Sequence, residues 1–464
     1  MSEKSGSEGR IQWSRFFKKL SPYMIQKGLL YLRHYGLKEF WIRLHERFEP
    51  EEIPYGPWYE AYAPDQTVLD KQRKKKFAYA PLISVVVPAY RTPELFLRQM
   101  IDSLEAQTYE DWELCIANGS PEDQSMRKVL EEYSSRDRRV RWQELTENKG
   151  IAENTNAAFA MAKGEFVGLL DHDDLLAPNA LYEVVNALNQ HEHGDAVYTD
   201  EDKVTAELDE HFQPHLKPDF NIDLLRSNNY ICHFFVVRRQ LVEEVGGFRR
   251  EFDGAQDHEF LFRCVEKAKG IEHIPKVLYH WRCHEASTAS NPQSKRYAYE
   301  AGQRALEDYC LRKGWKATVS GLKHLGFYRE DYEDSVFCQR PEIGIWAKPL
   351  PGGRDVFGIR HPKGFLVSGL YENDGSMRYA GLRKGYSGPM HRAALQQSAP
   401  AADLRSMEVC NALKERYAQT IAELKEACQG LPTAAQETKI LQKSMEFCKE
   451  ATAAGYGILW DPQA

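Results

Sequence analysis

The sequence lacks the long apolar runs, the paired cysteines and the basic charge that define several classes of protein. No run approaches the ~18–20 apolar residues that a transmembrane helix needs, and no stretch has the pattern of a signal peptide. The nine cysteines include no Cys-x-x-Cys pair, so we expect reduced thiols in a cytoplasmic protein, without a disulfide framework or a zinc finger. A formal net charge of -7 argues against a nucleic-acid partner.

Residues 1–49 differ from the rest of the chain in being basic and rich in aromatic side chains. Apolar residues recur every three or four positions from Trp13 to Met24 and again from Leu37 to Phe48, which predicts two amphipathic helices. Ten Lys/Arg against four Asp/Glu within residues 1–48 make this segment basic within an acidic protein. Two interpretations stay open: the segment lies on the inner, anionic face of the cell membrane, or it packs as a helical hairpin on the next domain.

Residues 81–328 follow a linker, predicted at 50–80 from its turn residues, and have the alternating pattern of an α/β domain. Strands are predicted at 82–87, 112–117, 140–143 and 166–170, and helices at 95–104, 126–133 and 152–162. This order predicts a mixed, mostly parallel sheet with helices on both faces. Ligands bind such sheets at the carboxyl ends of the strands, which is where Asn118 and a group of aspartates beginning at Asp171 lie.

Three carboxylates in four residues, at Asp171, Asp173 and Asp174, follow the predicted strand that ends at residue 170. Carboxylates placed so close repel one another unless a cation compensates their charge. Hard oxygen ligands suit Mg²⁺ or Mn²⁺, ions that commonly join a protein carboxylate to a substrate diphosphate. The alternative is that the acids favour the start of the following helix through its dipole, which accounts for one or two of them but not for all three.

Eight short motifs follow one another in this region. They are Ser84-Val85-Val86-Val87-Pro88-Ala89-Tyr90, Gln107-Thr108-Tyr109, Glu113-Leu114-Cys115-Ile116-Ala117-Asn118-Gly119-Ser120, Gly164-Glu165-Phe166-Val167, Tyr198-Thr199-Asp200-Glu201-Asp202-Lys203, Gly246-Gly247-Phe248, Gly254-Ala255-Gln256-Asp257 and Leu278-Tyr279-His280-Trp281-Arg282. Each motif alone is weak, whereas the ordered set is specific. In this order they resemble the family-two glycosyltransferases, and the resemblance implies an inverting enzyme with the GT-A fold.

The resemblance implies a role for each matching position. Asp171 and Asp173 would hold the divalent metal, Mn²⁺ or Mg²⁺, on the donor diphosphate, and Asp257 would act as the general base. The remaining positions are implied as follows: Pro88, Tyr90 and Asn118 around the nucleotide base, Asn156 beside the nucleotide, Arg282 near phosphate, and His280 as a further metal ligand. Two positions depart from the family, since Asn118 stands where aspartate is usual and Thr155 where arginine is common.

The chemistry agrees with these roles, because a nucleoside diphosphate leaves readily once a metal neutralises its charge. A base on the opposite face of the anomeric carbon must then take the proton of the acceptor hydroxyl, and Asp257 has the right character. The alternative for Asp257 is an N-cap of the helix that begins near His258. A single histidine in a strand is more often structural than a metal ligand, so for His280 both interpretations stay open.

Residues 329–464 are predicted to form a C-terminal extension. Residues 342–349, 373–375 and 380–381 faintly resemble part of a second family-two domain, but no Asp-x-Asp motif follows residue 330. A degenerate domain used for acceptor binding or as a homodimer contact is one interpretation. The apolar spacing from Met407 to Cys428 predicts one long helix, and a further helix is predicted at 436–451.

The sequence therefore predicts a metal-dependent, inverting glycosyltransferase. The donor is expected to be a UDP- or dTDP-sugar, and the acceptor a hydroxyl of a surface or cell-wall polysaccharide that is lipid-linked at the inner membrane face. Two rivals remain at this stage. One is a non-catalytic glycan-binding or scaffold protein on the same fold, and the other is a nucleotidyltransferase, which also uses paired carboxylates and a metal.

Overall fold

The computed structural model describes residues 54–190, 194–284, 296–322, 325–347, 407–427 and 434–460, four strands between 354 and 383, and parts of 25–44. The amphipathic stretches predicted within residues 1–49 lie mostly outside the described residues, and the parts that are described are helical. No helix among the described residues is long and apolar enough to cross a membrane.

A nine-stranded sheet forms the centre of the structure between residues 83 and 283. Its strands are β1 Ile83–Ala89, β2 Trp112–Asn118, β3 Val140–Glu144, β4 Phe166–Leu169, β5 Leu175–Leu176, β6 Ala196–Thr205, β7 His211–His215, β8 Phe235–Arg238 and β9 Ile271–Cys283. The helices up to residue 313 are α1 Tyr55–Tyr62, α2 Gln66–Lys74, α3 Glu94–Glu105, α4 Gln124–Arg136, α5 Ile151–Ala160, α6 Ala180–Gln190, α7 Ile222–Ser227, α8 Arg239–Val245, α9 Gln256–Lys267 and α10 Arg296–Lys313.

The strand order is β3-β2-β1-β4-β8-β6-β9-β5, with β7 paired to β6. Pairing is parallel between β1 and its neighbours β2 and β4, between β2 and β3, and between β6 and β9. The β8 strand runs antiparallel to both β4 and β6, so β6 points the same way as β4. Six of the nine strands therefore share one direction. This confirms the predicted mixed, mostly parallel sheet.

Both faces of the sheet are covered by helices, as predicted, because the apolar side chains of the strands alternate. On β1, Val85 and Val87 pack into a core with residues of α3, α4 and α6. The intervening Val86 packs on the other face with Ala158 of α5. A separate core on that second face gathers residues of α7, α8, α9 and α10. A parallel strand with two buried faces needs an unbroken apolar run, which is why β1 could be recognised in the sequence.

The segment predicted as a linker at 50–80 contains the two helices α1 and α2. Of the turn residues behind that prediction, Pro54 is the N-cap of α1, and Gly56 and Pro57 lie in its first turn. The aromatic residues Tyr55, Trp58 and Tyr59 of α1 form a small core with Leu216 and Val277. This burial of aromatic surface stabilises helical structure that the turn residues alone did not indicate.

The C-terminal part contains two smaller sheets. The strands β12 Ile343–Ala347, β17 Met407–Val409 and β18 Gly457–Trp460 form one, and β13 Arg354–His361, β14 Gly364–Glu372, β15 Met377–Arg378 and β16 Leu382–Arg383 form the other. A hairpin of β10 Ala317–Gly321 and β11 Tyr328–Tyr332 and the short helix α11 Val336–Gln339 precede them.

The single long helix predicted from Met407 to Cys428 is wrong. Met407 lies in β17, and the helical part is divided into α12 Asn411–Arg416 and α13 Ala418–Ala427 on either side of Tyr417. The pairing of β17 with β12 explains the difference, because the same apolar residues pack against a sheet that the sequence spacing did not reveal. The final helix was predicted correctly and is α14 Ala434–Ala453.

A buried charge network joins the start of the C-terminal part to the central sheet region. The Arg340 guanidinium donates to the Asp223 carboxylate at 2.5 Å, and Arg226 donates to the same oxygen at 2.6 Å. Arg226 also pairs with Glu330, and both guanidinium groups lie over the Trp315 ring. Burial alone would raise the pKa of Asp223, but the charges of Arg226 and Arg340 hold it below its usual value.

We expect Arg340→Ala to destabilise the protein by ~2 kcal/mol, because one of the two cations that compensate a buried carboxylate is removed. Chemical denaturation followed by tryptophan fluorescence measures the change. The matched control is Arg73→Ala, which removes an exposed Arg73–Asp70 pair and should cost less than ~0.5 kcal/mol. Equal effects of the two substitutions would show that the buried network does not stabilise this junction.

Candidate active site

The carboxyl ends of β1, β2 and β4 meet at one edge of the sheet, and the predicted nucleotide-side residues converge there. Ala89 of β1 pairs with Asn118 of β2, so Pro88, Tyr90 and Asn118 are neighbours. The Leu170 N–H donates to the carbonyl of Val86, so the chain stays beside β1 up to the residue before Asp171. Parallel pairing therefore brings together residues that are 29 (Ala89 and Asn118) and 84 (Val86 and Leu170) positions apart in the sequence.

Residues 171–174 form a turn, here called the acidic turn, which is fixed by its last member. The Asp174 side chain is 1% exposed. One of its oxygens accepts from the Arg282 backbone N–H at 2.8 Å, and the other accepts from the Tyr279 hydroxyl at 2.5 Å. Burial raises the pKa of Asp174 well above its usual value, and the negative charges of Asp173 and Asp171 raise it further. Asp174 is thus the anchor of the turn.

Asp171 and Asp173 face a more open environment than Asp174, with side-chain exposures of 45% and 18%. The ligand atoms of Asp171, Asp174 and His233 lie within 4.8 Å of one another, a spacing at which they could hold a metal ion, and Asp173 is next to them in the turn. The negative charge that raises the pKa of Asp174 is the electrostatic reason for a cation to bind there. The donor set therefore fits the divalent metal that the resemblance implied.

The histidine that the structure brings to Asp173 is His284 and not His280. His284 Nε2 lies 2.8 Å from Asp173 Oδ2. His280 Nδ1 instead lies 2.6 Å from Asp202 Oδ1, in a group that also includes His211 and the Tyr55 and Tyr59 hydroxyls of α1. His280 is paired with Asp202 of β6, whereas His284 lies one residue beyond the end of β9, where its side chain meets Asp173.

Arg282 supports the acidic turn from within the protein. Its guanidinium donates to the carbonyl of Asp173 at 2.6 Å, to Gln99 at 2.7 Å and to the carbonyl of Ala206 at 2.8 Å. The residue is fully buried, and burial lowers its pKa. In this arrangement Arg282 holds the backbone of the turn, whereas the resemblance had implied contact with phosphate.

A second histidine, His233, lies beside the acidic turn and was not singled out in the sequence. Its Nε2 is 3.6 Å from Asp171 Oδ2, its Nδ1 is 3.2 Å from Glu201 Oε2, and its ring stacks on Tyr279. Burial would lower the pKa of His233, but the carboxylates of Glu201 and Asp171 raise it well above its usual value. His233 precedes an ordinary apolar strand, so nothing in its local pattern distinguished it.

The buried Lys217 holds the segment that carries His233. Its ammonium donates to Glu201 at 3.0 Å, to the Ile231 carbonyl at 2.6 Å and to the His233 carbonyl. Burial alone would raise the pKa of Glu201, yet Lys217 and His233 hold it well below its usual value. Glu201 is therefore an ionised, buried partner that orients His233 toward Asp171.

Asp257 is connected to the segment that carries His233, because Asn229 of that segment contacts its carboxylate. It lies in the first turn of α9, where Ala255 is the N-cap, so Asp257 does not take the N-cap position that was its alternative interpretation. The Asn229 amide donates to Asp257 Oδ2 at 2.7 Å. Asp257 is half-buried. Its second oxygen, Oδ1, is the candidate atom for accepting a proton.

The three asparagines near the nucleotide side differ in what their amides do. The Asn156 Oδ1 accepts from the Phe248 N–H at 2.8 Å, and its Nδ2 donates to the Phe248 carbonyl at 2.8 Å. Asn118 is fully buried, its Oδ1 accepts from the Ser120 N–H at 2.9 Å, and its Nδ2 has no partner among the described residues. Asn154, which the sequence interpretation missed, lies against Gly119. The structure thus places Asn154, not Asn156, beside Asn118.

Of the residues that the sequence analysis did not single out, only His284 could have been identified from a local pattern, because it follows Arg282 in the same strand-like run. His233 and Lys217 both meet Glu201 of β6 from distant parts of the chain, and Asn154 lies on α5 against Gly119, so no local pattern marks these residues.

Residues 84–246 match the family model described as "Glycosyl transferase family 2". The chain is 44% identical over 245 residues to an uncharacterised protein, y4gI, of Sinorhizobium fredii, covering 52% of this chain and 27% of that protein. It is 36% identical over 271 residues to the O-antigen biosynthesis protein RfbC of Myxococcus xanthus, covering 58% and 21% of the two chains.

A more distant match is the chondroitin synthase of Pasteurella multocida, 28% identical over 209 residues, with 45% of this chain and 21% of that protein covered. The chain thus spans about a quarter or less of the length of these three relatives. Among solved structures, S. aureus TarS in complex with UDP-GlcNAc is 22% identical with a TM-score of 0.41, covering 49% of this chain and 66% of that one. The first five of the eight ordered motifs lie within residues 84–246, so the motifs and the family model indicate the same similarity, to glycosyl transferase family 2.

Proposed function

We propose that this protein is an inverting glycosyltransferase that moves a sugar from a nucleoside diphosphate donor to a hydroxyl of a polysaccharide. One observation carries the proposal. A single short segment, residues 229–233, contacts Asp257 through Asn229 and Asp171 through His233. A candidate base and a candidate diphosphate site therefore lie on either side of one segment, as displacement at an anomeric carbon between them requires.

Each residue would have a distinct task in the transfer. Tyr90, Pro88 and Asn118 would bind the nucleotide end of the donor at the carboxyl ends of β1 and β2. Asp171 and Asp173, with His284, would hold a divalent metal, which supplies charge neutralisation of the diphosphate leaving group. Asp257 would take the proton of the acceptor hydroxyl as it attacks the anomeric carbon from the opposite side. Attack opposite the leaving group inverts the anomeric configuration.

We expect Asp257→Asn to reduce transfer by roughly 100- to 10,000-fold while donor binding is kept, because an amide cannot accept the proton. Nucleoside diphosphate release from a panel of sugar nucleotides measures turnover, and calorimetric titration of the nucleoside diphosphate measures binding. The control is Asp253→Asn on the neighbouring turn, where the carboxylate contacts the Ala152 N–H at the start of α5. Loss of donor affinity with turnover retained would make Asp257 a binding residue.

Metal dependence gives a prediction that separates the two histidines. Removal of divalent metal by EDTA should abolish turnover, and Asp173→Ala should lower it by roughly 100-fold or more. His284→Ala should raise the Mn²⁺ concentration needed for half-maximal activity. His280→Ala should leave that concentration unchanged and lower only the midpoint of thermal unfolding, because His280 belongs to the Asp202 group. Full activity in EDTA would exclude the metal.

We propose a uridine or thymidine diphosphate sugar as the donor. Because Ser120 N–H fixes Oδ1 of Asn118, its buried NH₂ group needs an acceptor. Uracil and thymine offer a carbonyl on each side of N3–H, whereas guanine offers one carbonyl beside two adjacent donors, which an amide NH₂ serves poorly. In titrations with Mn²⁺, UDP and dTDP should bind at least ~10-fold more tightly than GDP, a difference of the size that one buried hydrogen bond produces. Asn118→Asp is the matched variant and should reduce this preference. GDP binding as tight as UDP binding would contradict the proposal.

We further propose that the acceptor is lipid-linked and that the amino-terminal segment lies on the inner face of the membrane. Several apolar side chains among its described residues are exposed, namely Ile25 49%, Leu29 61%, Leu37 77% and Trp41 52%. Deletion of residues 1–48 should abolish binding to anionic phosphatidylglycerol vesicles, and binding of the intact chain should fall as salt rises. Failure of the intact chain to bind such vesicles at low salt would favour a packed hairpin.

A further inference from the structure

The Asn229 side chain has a defined orientation. Its Oδ1 accepts from the Cys232 N–H at 3.3 Å, and its backbone carbonyl accepts from the Cys232 thiol at 2.9 Å. An amide oxygen held by an N–H donor leaves the NH₂ group pointing the other way. That group donates to Asp257 Oδ2 at 2.7 Å. The direction of the hydrogen bond to Asp257 is therefore set by the segment itself.

The segment 229–233 is also held in place by the buried Lys217. Lys217 Nζ contacts the carbonyls of Ile231 and His233, and it is a buried ammonium with a buried carboxylate partner, Glu201. A charged donor shared among three acceptors strongly resists displacement of the backbone it binds. Asn229 and His233 are thus attached to one fixed stretch of chain.

We propose that Asn229 is a positioning residue for the transfer reaction. Its amide holds Oδ2 of Asp257, so that Oδ1 is presented to the acceptor hydroxyl in one orientation. Without this bond the carboxylate would rotate about its side-chain torsions and lose that alignment. This inference rests on the proposed function, in which Asp257 is the base.

The bond has a consequence for kinetics that a purely structural role would not have. Misplacement of a reacting group by about 1 Å costs on the order of 100-fold in rate while substrate binding is little changed. Asn229→Ala should therefore lower kcat by about 10- to 100-fold, with a change in donor KM of less than about 3-fold. A residue that only stabilised the fold would lower the amount of active protein and the unfolding midpoint.

A double-mutant cycle tests whether Asn229 acts through Asp257. Release of UDP from a UDP-sugar with Mn²⁺ is measured for wild type, Asn229→Ala, Asp257→Asn and the double variant. In the Asp257→Asn background, removal of Asn229 should cost less than about 3-fold, because its target has already lost function. Independent effects that multiply, or a raised donor KM with kcat kept, would overturn the proposal.

One further variant is the matched control, and another tests the proposal if Asn229→Ala does not fold. Asn228→Ala removes a neighbouring amide whose Nδ2 has no partner among the described residues, and it should keep kcat within about 2-fold. Asn229→Asp keeps the shape and the acceptor for Cys232 N–H but removes the donor, so it should lower kcat even if Asn229→Ala fails to fold. Wild-type kcat in Asn229→Asp would overturn the proposal.

The outcomes also distinguish this inference from the proposed function. If wild type releases UDP and Asp257→Asn does not, the assignment of Asp257 as the base is supported, and the double-mutant cycle alone decides the role of Asn229. If Asp257→Asn keeps full turnover, the base assignment fails, and the positioning role of Asn229 fails with it. If wild type releases no nucleoside diphosphate from any donor, the proposed function itself is overturned.

Discussion

The burial of one carboxylate, that of Asp174, governs the geometry of the site. It is held by the Tyr279 hydroxyl and by the Arg282 N–H, both on β9, while Arg282 also holds the carbonyl of Asp173. A buried acid is tolerated only when its oxygens are hydrogen-bonded, so the acidic turn and β9 must keep their relative positions. The exposed directions of Asp171 and Asp173 follow from this constraint.

The β9 strand separates two polar groups that lie close in the sequence. Tyr279 faces the acidic turn and His233, whereas His280 faces Asp202 and the tyrosines of α1. Burial would raise the pKa of Asp202, but His280 and His211 lower it, so this second group has its own charge compensation. It attaches α1 to the sheet through the Tyr55 and Tyr59 hydroxyls.

A third arrangement, the segment 229–233, joins the two halves of the site. Its position depends on Lys217 and Glu201, which come from the chain around β6 and β7, and its ends lead to α7 and β8. The buried network of Arg226, Asp223 and Arg340 fixes α7 on its other side. The C-terminal part is therefore connected to the site through ordinary ion pairs, although it contributes no residue to the acidic turn.

The sequence alone was sufficient for the first four strands of the nine-stranded sheet and for the residues that follow β2 and β4. Alternating apolar runs and helices are local patterns, and they located β1, β2 and β4. They also pointed to the acidic turn at Asp171, because polar ligand-binding residues gather at the strand ends of parallel sheets. Helix boundaries near Glu94 and Gln124 were also recovered from spacing. The eight motifs in a fixed order supported the resemblance to the family, since independent weak matches in a fixed order are improbable by chance.

Only the tertiary structure decided which side chains meet. His280 lies opposite Asp202 of β6 and Leu175 of β5, whereas His284 lies just past the end of β9. The choice between the two histidines therefore depended on how β9 pairs with β5 and β6, and pairing register is not a local property. The same holds for His233, whose partners Glu201 and Asp171 come from other strands. Asn156 and Arg282 matched the motif, yet their polar groups hold backbone atoms of the protein. Local pattern determined the elements, and packing between distant elements determined the site.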